Sequence, residues 1–146
     1  MWRYLRLDTA LVAAFYFAER TKDYGGIHLG VPVSSTGSLL ALADELGALP
    51  AGHSRSLRLL PVRDELPRMI AGERGYRALT ALRVGTARDA VTRILLEEQA
   101  GVVALSRAGL SDFRTAVLRV RDGQGDMLIA GESGLSVDRL WFWPLP

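Results

Sequence analysis

The segment "DRLWFWPLP" at 138–146 limits the possible folds more than any other stretch. In an extended strand side chains alternate between two faces. Trp141 and Trp143 then point one way, and Leu140 and Phe142 the other. Both faces are apolar. Such a strand must lie between two layers, sit in a sheet under a helix, or keep one face for a partner. Trp and Arg dominate the energetics of protein interfaces, so Arg139, Trp141 and Trp143 form the candidate partner-binding set.

The remaining chain is that of a globular protein. Of its 146 residues 49% are hydrophobic and 23% charged, enough to bury a core and too apolar for a disordered chain. Lys22 is the only lysine among 18 basic residues, so the rest are arginine, as GC-rich bacterial coding would give. A net charge of +2, with arginines interleaved among acids, argues against a nucleic-acid partner. The absence of cysteine excludes disulfides, thiol catalysis and thiolate metal sites. No window is apolar for the ~20 residues of a membrane helix. Arg3 and Arg6 before the apolar run Ala10 to Ala18 imitate a signal peptide, but Asp8, Tyr16 and Phe17 break the pattern. The expected location is therefore the cytoplasm, with no membrane association.

Periodicity suggests the elements. "WRYLRLD" alternates as a strand. Thr9 to Thr21 fits a helix capped by Asp8, with Leu11, Phe15 and Ala18 as its stripe, and a strand through "LVAAFYF" competes with it. "IHLGVPV" is extended. From Thr36 a helix is expected, with Leu39, Leu42 and Leu46 on one face and Gly47 as its stop. "RSLRLLPV" predicts a strand and "DELPRMIAG" a short helix, while 76–84 fits either. Thr86 to Ala100 is expected to be a helix: Thr86 and Asp89 as a capping pair, Val91, Ile94 and Leu95 as the stripe, Gly101 as terminator. "TAVLRVRD", a "GQG" turn and "DMLIAG" predict a hairpin. Together these predict a single α+β domain over 1–146. Its helices pack on one face of a mainly antiparallel sheet, and its C-terminal third is β-rich.

One stretch has the form of a binding site. In "SSTGS", Ser34, Ser35, Thr36 and Ser38 surround Gly37 between a strand and a helix start, where unpaired N–H groups and the helix dipole favour anions. His28 is close enough in sequence to assist. No lysine follows the glycine, so the phosphate-loop pattern is not met. The simpler expectation is that Ser35 or Thr36 caps the helix. Elsewhere no acid–base pair, nucleophile or metal-ligand spacing is evident, which leaves catalytic residues unassigned, with no metal and no cofactor expected. The leading expectation is a non-enzymatic protein that binds another macromolecule, such as an inhibitor, immunity-type or assembly protein. The alternatives are a small-anion-binding domain, or a hydrolase or transferase using 34–38, and a self-assembling structural subunit.

Overall fold

The computed structural model describes residues 11–17, 24–61, 76–134 and 138–145. The expected strand at 2–7 and short helix at 64–72 lie outside them. In chain order the elements are β1 (Leu11–Phe17), β2 (Gly26–Pro32), a 3-10 turn (Val33–Ser35), α1 (Thr36–Ala48), β3 (Ser54–Leu60), β4 (Tyr76–Ala78) and β5 (Ala81–Thr86). There follow β6 (Arg93–Glu97), β7 (Ala100–Leu105), α2 (Arg107–Arg121), β8 (Asp126–Ile129), β9 (Glu132–Ser133) and β10 (Arg139–Leu145).

All described strands join one sheet, in the order β8-β10-β2-β1-β3-β5-β7-β6-β9. β3 lies beside Leu11–Ala13 of β1, and β4 takes the rest of that edge at Phe15–Phe17. The sheet is mixed rather than mainly antiparallel: β1–β3, β10–β2, β5–β7 and β6–β9 are parallel pairs. The α+β character holds, and the two described helices share one core. α1 contributes Leu39, Leu42, Ala43 and Leu46, and α2 contributes Phe113, Ala116, Val117 and Val120, to a core with Ile27, Leu29, Val84, Val103, Leu140 and Phe142. Each such large side chain taken fully from water contributes about 1.5–3 kcal/mol. Asp44 pairs with Arg114 and Thr36 receives Arg121, so the two helices run antiparallel.

Three expectations are corrected. Residues 11–17 form a strand, not a helix, because Val12 and Ala14 are buried under the helices while Ala13, Phe15 and Phe17 are buried on the opposite face. A segment buried on both sides shows no amphipathic period, and tertiary pairing decides its form. Thr86 to Ala100 is likewise not a helix. Thr86 ends β5, and Ile94 lies in β6, paired with Val103 of β7. Asp89 caps no helix: it accepts from Val91 N in a loop, and its ion pair with Arg93 spans that loop. Finally, "TAVLRVRD" belongs to α2, the longer of the two described helices. Phe113, Ala116, Val117 and Val120 recur at helical spacing. Ser106 caps it by accepting from Gly109 N at 3.0 Å, and Thr92 Oγ1, 2.9 Å from Ser106 Oγ, holds the cap in place. Arg119 and Arg121 therefore end a helix rather than share a strand face.

Candidate functional site

β10 lies inside the sheet, between β8 and β2. Its Leu140 and Phe142 are in the helix-covered core, and Phe142 meets Phe113 edge-on at 5.5 Å. Arg139, Trp141 and Trp143 are half-buried and point to the face opposite α1 and α2, which is helix-free among the described residues. Strand register builds the surroundings. Phe15 of β1 pairs with His28 of β2, His28 with Trp141, and Trp141 with Met127 of β8. One row thus crosses four strands. In the flanking rows, Ile129 pairs with Arg139 and Gly30 with Trp143.

His28 is the centre of the row. Its ring is stacked on Phe15 at 5.1 Å and on Trp141 at 5.5 Å, from the strands on either side. It is fully buried. The Trp143 indole N–H donates to His28 Nδ1 at 2.8 Å, and an indole nitrogen cannot accept. Nδ1 is therefore bare, and Nε2 carries the proton that it donates to the Tyr24 carbonyl at 2.5 Å. Burial pushes the pKa from 6.5 down to about 4, against the smaller upward pull of the Tyr24 bond. The ring is neutral near pH 7, and both of its nitrogens are used within the chain.

The tryptophans are held as firmly. Trp141 Nε1 donates to the Gly25 carbonyl at 2.8 Å, and the two indoles lie nearly parallel, 5.7 Å apart. The Arg139 guanidinium sits 5.8 Å from the Trp141 ring. One glycine makes the arrangement possible. Gly26 has φ +110°, and a side chain there would run into the Arg139 carbonyl. Around the indoles, Ile129 is 61% exposed, Met127 38% and Tyr24 36%. Sequence reasoning singled out Arg139, Trp141 and Trp143 but missed Tyr24, Met127 and Ile129. The alternation in "DMLI" marked a strand, while its place beside β10 depends on pairing that no local signal carries.

The "SSTGS" stretch is built differently. Ser35 Oγ donates to the Leu11 carbonyl at 2.7 Å, tying the turn to β1, and Thr36 Oγ1 donates to Val33 O at 2.7 Å. Neither caps α1, whose N-cap Ser35 makes no side-chain bond to the helix. Ser34 and Gly37 are exposed and Ser38 is half-buried. The hydrogen bonds of His28 go to Tyr24 and Trp143, and that of Ser35 to Leu11, so the structure does not join His28 to this turn.

A second polar cluster lies at the far end of the sheet. Arg93 bonds Asp89 at 2.7 Å and Glu132 at 2.7 Å. The Arg93 hydrogen bond holds the Asp89 carboxyl down at about 2, and Arg93 is raised in turn. Among the described residues no group of three or more acids or histidines is placed to hold a metal. No described helix is long and apolar enough to cross a membrane. Comparison with protein-family models, with curated proteins and with solved structures gives no match.

Proposed function

We propose that this chain acts by binding another protein through the helix-free face at the β8–β10 margin. One observation carries the reading. Ile129, Met127 and Tyr24, all exposed, gather around two half-buried tryptophans whose N–H groups are already satisfied inside the chain. What remains outward is apolar surface, and the two indoles within it are held by their hydrogen bonds, so little of their rotamer freedom is lost when a partner covers them. The ring faces of Trp141 are engaged by His28 and Arg139, which leaves edges suited to interdigitating side chains rather than a platform for nucleobases. Arg139 on the rim offers a fork for a partner's carboxylate.

The test is a photo-crosslinking residue at position 129, with one at the exposed Leu118 on α2 as control, in cells that make the protein. The expected result is a discrete protein adduct from position 129 alone, lost when Trp141→Ala is added. Equal capture at both positions, or none at 129, would overturn the reading. An adduct of twice the chain's mass would favour the self-assembling subunit instead.

A further inference from the structure

β8 ends the strand order, with β10 as its only strand neighbour among the described residues. Ala130 N donates to Asp138 O across the β8–β10 pair, at 2.8 Å. In an antiparallel ladder main-chain groups alternate in direction. Asp126 and Leu128 therefore point their N–H and C=O groups at β10, and Met127 and Ile129 point theirs away, along the open edge. At one of these outward groups the chain has placed its own acceptor: Met127 N donates to Asp126 Oδ1 at 2.8 Å. The same carboxylate lies 3.5 Å from the Arg119 guanidinium, which tethers it from α2.

We infer that Asp126 guards the edge of β8 against pairing with a second copy of this chain. The second copy is the occupant favoured by symmetry. Antiparallel pairing about Leu128 sets Met127 of each copy opposite Ile129 of the other, so the two outward residues would exchange both main-chain bonds with their counterparts. The same register brings exposed apolar side chains together on the helix-free face. That pairing needs the Met127 N–H, and the Asp126 carboxylate holds it. A short strand with a charge at its start is a known way to keep an open edge unpaired. The inference concerns main-chain groups and stands apart from the side-chain contact proposed above.

Sedimentation velocity over a concentration series tests it. Wild type is expected not to pair through β8, while Asp126→Ala and Asp126→Val associate at least about tenfold more tightly, as one freed hydrogen bond per copy implies. Asp126→Asn keeps an acceptor oxygen and is expected to behave as wild type. Adding Ile129→Pro, which removes an outward N–H, is expected to return Asp126→Ala to the wild-type state. The guard is overturned if both folded variants sediment as wild type does, or if Asp126→Asn associates as strongly as Asp126→Ala. It is also overturned if Ile129→Pro fails to reverse the association. Should neither Asp126 variant fold, Asp126→Glu takes their place: its longer side chain carries the carboxylate away from the Met127 N–H, and unchanged sedimentation would overturn the guard.

Discussion

The two ends of the sheet lie under the same helix layer yet differ on the helix-free face. At the β1–β2–β10–β8 end that face carries Phe15, Phe17, His28, Trp141 and Trp143. At the β5–β7–β6 end the corresponding positions are Ala81, Arg83, Ala100, Val102, Ala104, Arg93, Leu95 and Glu97. The second end shows that aliphatic and charged side chains, without an aromatic ring, suffice to keep strands of this sheet paired. The aromatic row therefore exceeds what strand pairing alone demands. It serves to bury His28 and to fix two indoles at a margin where large apolar side chains remain in water.

The largest test of this contrast is a pair of truncations. Phe15→Ala removes a fully buried ring stacked on His28 and is expected to cost about 3–5 kcal/mol. Val102→Ala, half-buried on the same face at the other end, is expected to cost about 1 kcal/mol. Equal shifts in urea midpoint would erase the distinction between the ends.

Acid should act on the aromatic end first. His28 titrates lower when folded than its ordinary 6.5, at about 4, so the unfolded chain binds more protons between those values. The stability is fully present above pH 6.5 and falls as pH drops toward 4, by about 3 kcal/mol. His28→Phe keeps a stacked ring and is expected to flatten that part of the urea-midpoint profile. A variant as acid-sensitive as wild type would sink the assignment. Asp89 has the same sign at a lower window: its contribution is present above 3.8 and lost as pH falls toward 2.

Smaller effects probe how the other end is joined to α2. Ser106→Ala removes the side-chain cap of α2, which accepts from Gly109 N, and is expected to lower stability by about 1 kcal/mol in thermal or urea unfolding. Ser34→Ala, at an exposed hydroxyl, should be neutral. Inorganic phosphate should leave the melting temperature unchanged, and a rise that Ser35→Ala abolished would give the "SSTGS" turn a ligand. Least of all, Asp89→Ala is expected to shift the melt only slightly, and less still in high salt, because its pair with Arg93 is in water.

How legible this was in the sequence depended on how far each element reports on itself. α1 was readable because one stripe faces one core and the opposite side is solvated. "WFW" was readable because alternation survives in a strand even when both faces are apolar. β1 and β6 were misread for a shared reason: their neighbours, not their own period, set their form. Ile94, Leu95 and Leu96 satisfy a helical stripe as well as they satisfy β6 beside β7. In α2 the alternation of Leu118, Arg119, Val120 and Arg121 masked the helical spacing of Phe113, Ala116, Val117 and Val120. The tryptophans could be picked out singly. Their lock on His28 could not, because the two partners stand 115 positions apart.

That separation also bears on how the chain is made. β2 is flanked by β1 on one side and by β10 on the other, so its second edge closes only when β10 arrives. At ribosomal speeds of about 5–20 residues per second, the 115 positions from His28 to Trp143 take roughly 6–23 s. During that interval "GIHLGVP" presents an unpaired, apolar strand edge next to a hairpin partner that is already complete. Nascent chains halted in the interval would be the form most prone to cross-pair with one another, and the C-terminal strand would be the step that ends the exposure.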